Sequence, residues 1–66
     1  MHILKAGVTI TDADCYNGFI IVSVAKNGWC KIYHPSNVKR GNIKQATTSV
    51  RANWIYQKDQ PYQLTL

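Results

Sequence analysis

An Asn-Gly pair at 27–28 lies between two runs of strand-forming residues, in the stretch GFIIVSVAKNGWCKIYH at 18–34. This arrangement is the strongest short-range hairpin signal a sequence carries, and it limits the folds open to the chain more than any other feature. Phe19, Ile20, Ile21, Val22 and Val24 lead in, and Trp29, Cys30, Ile32 and Tyr33 lead out. All are aliphatic, β-branched, aromatic or thiol side chains suited to a half-buried pleated surface. A two-residue loop would pair Lys26 with Trp29 and leave both faces mixed. A three-residue loop at 26–28 pairs Ala25 with Trp29, Val24 with Cys30, Val22 with Ile32 and Ile20 with His34. That register gives one apolar face, which a one-residue slip would turn to solvent. Gly28 then takes the left-handed position of a G1 bulge. Ile21, Trp29, Lys31 and Tyr33 fall on the opposite, outward face.

Sixty-six residues make one domain, 1–66. A chain this short buries only about 60% of its unfolded surface. Its 45% hydrophobic content supports a core and argues against disorder. Eight Lys and Arg stand against three Asp and Glu, for a net charge of +5. That excess favours polyanionic partners, nucleic acid before anionic membrane, although a charge that merely keeps the surface soluble is the plainer reading. Residues 1–10 have no basic segment followed by a long apolar core, so a cytoplasmic location with free thiols is expected. Cys30 reads as a small buried hydrophobe and Cys15 as an exposed loop residue. The longest apolar run, 19–22, is far too short to span a bilayer, and no membrane partner is expected.

Residues 3–10 (ILKAGVTI) alternate Leu4, Ala6, Val8 and Ile10 against Ile3, Lys5, Gly7 and Thr9. This predicts a half-buried first strand, bent at Gly7. Residues 11–17 (TDADCYN) form a loop, and Asn17-Gly18 turns into the second strand. His34-Pro35 ends the third strand, because proline cannot donate to a ladder. A polar connection at 36–43 follows, made basic by Lys39, Arg40 and the adjoining Lys44. Residues 44–52 (KQATTSVRA) predict a fourth strand with Ala46, Thr48, Val50 and Ala52 inward. Residues 53–56 (NWIY) predict a short 3₁₀ turn capped by Asn53, with Ile55 in the core. After a polar turn at 58–61, Tyr62, Leu64 and Leu66 alternate as a closing fifth strand. No segment sustains a helical period.

Five short strands with a 3₁₀ turn before the last resemble the SH3-like small-barrel superfamily. The residues that carry the likeness are the glycine-led strand GFIIVSV, the turn and strand KNGWCKIYH, and the segment SVRANWIY. The resemblance implies an all-β, five-stranded small barrel; an OB-like barrel is the alternative architecture. The chain departs from the KOW type, whose glycine-rich, lysine-containing turn is replaced here by TDADCYN. It also lacks the acidic loop and aromatic opening of signalling SH3 domains, so proline-rich ligands are not carried over. A free-standing chain of this size is reminiscent of small phage or mobile-element proteins. Barrels of this class host many unrelated functions, so the site has to decide.

No catalytic motif is present, and the protein is expected not to be an enzyme. His2, His34, Cys15 and Cys30 have no metal-ligand spacing, so neither metal nor cofactor is expected. A single small barrel is also expected to lack a cavity of the ~300 Å³ a small ligand requires. The plasmid-borne type II dihydrofolate reductases are similar in size and barrel type. Their strand motif V-Q-I-Y has no match here, Trp54-Ile55-Tyr56 sharing only its last two letters. What remains is a surface. Lys26, Trp29, Lys31, Tyr33, Lys39, Arg40, Lys44 and Arg51 are the candidate binding residues, with Lys58 a further cation. Cations meet phosphates and rings stack on unpaired bases, which makes nucleic acid the first expected partner. The rings have a structural alternative, in which Trp29 covers the barrel mouth and Trp54 and Tyr56 pack on the last strand. Exposed Ile21, Trp29 and Tyr33 also suit a protein interface, with a homodimer or a host protein as the second expected partner.

Overall fold

The computed structural model describes residues 1–57 and 59–66. It is a mostly-β chain in two sheets that do not close into a barrel. Strands β2 (Ile20–Val24), β3 (Trp29–Tyr33) and β4 (Thr48–Arg51) form an antiparallel meander in that order. Strand β1 (His2–Leu4) pairs with β5 (Tyr62–Leu64) in parallel, His2 opposite Tyr62 and Leu4 opposite Leu64. Ile21, Cys30, Ile32 and Val50 bury the inner face of the meander, against Leu4, Ile10, Ala13, Ala52, Ile55 and Tyr56. No described helix is long and apolar enough to cross a membrane.

The three-residue loop is present. The backbone N–H of Ala25 donates to Trp29 O at 2.8 Å and that of Gly28 to Ala25 O at 3.0 Å, with Gly28 at φ +91°. A Cβ added at Gly28 would meet nothing within 4 Å. The cost of a side chain there is therefore conformational, and Gly28→Ala is expected to destabilise by about 1–2 kcal/mol in urea unfolding.

Further from the turn the expected register fails. Val24 opposes Cys30 as expected and Ser23 opposes Lys31. Ile21, not Val22, then opposes Ile32, and Ile20 opposes Tyr33, not His34. Val22 is the extra residue of a β-bulge, which reverses the faces on either side of it. Ile21, expected outside, is 1% exposed, and Val22, expected inside, is 39% exposed. The larger side chain takes the core position. The far edge of β2 holds the arrangement: Gly7 N–H donates to Ile21 O at 2.8 Å, and Ile21 N–H to Val8 O at 3.0 Å.

The first predicted strand is two pieces. β1 stops at Leu4, the chain turns through a Val8 N–H to Lys5 O bond of 3.1 Å, and residues 7–10 then run beside β2. Leu4 and Ile10 are buried as the alternation requires, while Ala6 in the turn is exposed. The expected fourth strand is likewise shortened. A helical turn, α1 (Ile43–Ala46), replaces its first half, capped by Asn42 Oδ1 accepting from Gln45 N–H at 3.3 Å. Val50 and Ala52 are buried as expected, but Thr48 is exposed and Ala46 only half-buried. The turn after β4 is α-helical, α2 (Ala52–Ile55), and Arg51, not Asn53, occupies its N-cap. Ile55 is fully buried, as expected. Leu66 lies beyond β5 and is exposed. Both cysteines are free, Cys15 exposed and Cys30 buried, where desolvation raises the thiol's pKa.

Candidate functional site

The outer face of the meander is set by cross-strand pairing. Trp29, Lys31 and Tyr33 alternate on β3 away from the buried Cys30 and Ile32. Arg51 pairs with Trp29, and Ser49 with Lys31. On the other side Ser23 faces Lys31 and Ile20 faces Tyr33. This puts a cation between two rings on one strand, with small hydroxyl residues beside it.

The end of the face next to the 26–28 turn is the most developed. The Arg51 guanidinium carbon lies 4.7 Å from the centre of the Trp29 ring. At an exposed site such a cation–π contact contributes about 0.5–1 kcal/mol. Trp54, on α2, meets Trp29 edge-to-face at 5.7 Å and 81°. Trp29 is half-buried by these two neighbours, while Trp54 is 49% exposed. A backbone bond of 2.8 Å from Ala52 N–H to Gly28 O ties α2 to the turn. Between them is a small notch, about 90 Å³, lined by Asn27, Gly28, Arg51, Ala52, Asn53 and Tyr62. Asn27 Oδ1 accepts from Trp29 N–H at 3.2 Å.

The eight expected residues therefore divide. Trp29 and Arg51 are in contact, and Lys26 is exposed on the adjoining turn. Lys31 is exposed mid-strand and Tyr33 is half-buried at the far end, about 13 Å from Trp29 at the usual strand rise. Lys39, Arg40 and Lys44 are exposed in the excursion between β3 and β4. That excursion leaves at Tyr33 and returns opposite Ile32, so it is anchored at the end of the sheet away from Trp29. Its tip is a tight turn in which Asn42 N–H donates to Lys39 O at 3.0 Å. Arg40 and Gly41 both have positive φ, +54° and +71°, the signature of a type I′ turn. Arginine in the first of those positions is uncommon and stores backbone strain. Lys58 lies outside the described residues.

The structural alternative for the rings put Trp54 and Tyr56 on the last strand. Tyr56 does lean towards Tyr62, at 6.4 Å, but Trp54 packs on Trp29 instead. The missing signal was the bond from Ala52 to Gly28, which brings α2 beside the first hairpin turn. His34 follows β3 and caps the turn that comes next. Its Nδ1 accepts from Ser36 N–H at 3.1 Å, capping a 3₁₀ turn at Pro35–Asn37.

A second depression contradicts the expectation of no cavity. An open cleft of about 850 Å³ lies beside α2, lined by Asn53, Tyr56, Gln57, Asp59, Gln60, Pro61 and Tyr62. Asp59 is its one carboxylate among these residues, and no described group of three His, Cys, Asp or Glu side chains is placed to hold a metal ion. No family model matches the chain, and neither a curated protein nor a solved structure shows significant similarity to it.

Proposed function

We propose that the protein is a small binding module for nucleic acid, acting through the outer face of the β2–β3–β4 sheet and without catalysis of its own. The observation that supports this most is the grouping of Trp29, Arg51 and Trp54 at one end of that face, with Lys31 further along the same strand. The net charge of +5 supplies long-range attraction to a polyanion. In the same reading the fold is an open relative of the SH3-like small barrel. Its support is the three-stranded meander, the helical turn between β4 and β5, and the return of β5 to β1.

Salt separates this reading from others. Three phosphate contacts, from Arg51, Lys31 and the 39–44 excursion, would give single strands a log–log slope of about −2. Affinity for a labelled oligonucleotide, followed by fluorescence anisotropy, is expected to fall about 20-fold between about 50 and 200 mM salt. Absent binding at the lower salt, or binding indifferent to salt, overturns the proposal.

The alternative is a protein interface, for a second copy or a host protein. The observation favouring it is apolar: Val22 on the bulge is exposed, next to half-buried Ile20 and Tyr33. In that case Val22→Asp abolishes association in gel filtration or pull-down, and Lys39→Ala leaves it intact.

A further inference from the structure

We infer that the Trp29–Arg51–Trp54 corner is a one-nucleotide site for single-stranded nucleic acid, with the base stacked on Trp54 and its phosphate at the mouth of the neighbouring notch. This rests on the nucleic-acid reading above and names the kind of strand the site takes. Trp54 has the ring surface to spare, at 49% exposed. The ring is also held in place, because its edge contact with Trp29 at 5.7 Å and the fixed α2 backbone limit its motion. A held, half-open indole is a stacking platform, and stacking needs a base whose face is free. In a duplex that face is covered by the neighbouring pair.

The notch explains why the site takes a nucleotide and not only a ring. It is about 90 Å³, and Arg51, Asn27 and Asn53, with their polar side chains, are among the residues closest around it. Asn27 spends its Oδ1 on the Trp29 N–H, which directs the amide and leaves its NH₂ as a donor. Arg51 and two amide side chains together are an anion-binding set, and the volume suits a phosphate better than a base. Readers of the duplex major groove place a helix or a two-stranded ribbon in it. Among the described residues both α-helices span four residues, and the outer face is three strands wide, not ribbon-like. Lys31 lies two residues along β3 from Trp29, where it meets the next phosphate of a strand running across the sheet.

The test compares a short oligothymidylate with its duplex on oligoadenylate, read by quenching of tryptophan fluorescence and by anisotropy. The single strand is expected to bind at least tenfold more tightly than the duplex and to quench the fluorescence. Trp54→Ala is expected to weaken single-strand binding by about 5- to 150-fold, and Trp54→Phe to keep most of it. Arg51→Ala is expected to lower the salt slope by about 0.7. Trp54 is on the surface, so circular dichroism should show Trp54→Ala folded; its urea midpoint serves as the control. Equal or tighter duplex binding, or wild-type affinity in Trp54→Ala, overturns the single-strand site while leaving nucleic-acid binding in place. Binding to neither probe at low salt overturns both, and self-association lost in Trp54→Ala would then assign the corner to a protein interface.

Discussion

Truncating Ile21 to alanine is expected to cost about 3–4 kcal/mol, whereas the same change at the neighbouring Val22 should cost less than about 1 kcal/mol. Ile21 is buried to 1% exposure, opposite the fully buried Ile32. Its truncation removes three carbons from the core and leaves a space that the strands cannot readily close. Val22 is the bulged residue and already faces water. A 66-residue domain has about 3–10 kcal/mol of total stability. Ile21→Ala therefore brings the protein to the margin of unfolding, with a melting temperature lower by about 15–25 °C. Urea denaturation of both variants measures the difference directly. Equal losses at the two positions, or the larger loss at Val22, would restore the unbulged register and turn Ile21 outward.

That pair of residues also shows where the sequence was legible and where it was not. The loop at 26–28 could be read because its neighbours differ in kind: Cys30 and Ile32 alternate with Trp29, Lys31 and Tyr33, so only one register gives a clean face. The 19–22 run has no such contrast. Phe19, Ile20, Ile21 and Val22 are all apolar, and a bulge that exchanges two of them leaves no trace in a period of two. Leu4 and Ile10 were legible as core positions, yet the turn between them hides in an alternation that survives on both sides of it. The parallel pairing of β1 with β5 joins the two ends of the chain, and nothing local specifies its sense. For the site, Trp29, Lys31 and Tyr33 share a face as the alternation implied. Joining them to Lys39, Arg40 and Lys44 required knowing which end of the sheet the long excursion leaves from. Trp54 depended on a single backbone bond, Ala52 to Gly28, between segments more than twenty residues apart.

Tyr56→Ala is expected to be the most damaging single change on the α2 side of the core, costing about 3–5 kcal/mol. Its ring stacks on His2 at 4.1 Å and 6°, and its hydroxyl donates to Thr11 O at 2.6 Å. One side chain thus joins α2 to β1 and to the 11–17 loop. Tyr56→Phe keeps the stacking and loses the hydrogen bond, for about 1 kcal/mol near neutral pH. The two variants separate further in alkali. Burial raises the pKa of Tyr56, and the Asp12 charge adds to the shift. Below about pH 10 the phenol is neutral in both folded and unfolded chains. As pH rises past that value the unfolded chain loses the proton first, so the folded chain binds more protons and stability falls with pH. The loss runs at up to about 1.4 kcal/mol per pH unit until the folded phenol also ionises. Cys30, also raised by burial, begins the same decline lower, near its ordinary thiol value. Urea unfolding of wild type, Tyr56→Phe and Cys30→Ala between about pH 7 and 11 resolves the two contributions. Tyr56→Phe should lose the upper part of the alkaline decline and Cys30→Ala the lower. A Tyr56→Phe curve parallel to wild type throughout would mean the phenol is solvated in the folded protein, and the stack on His2 would then not be the buried joint described.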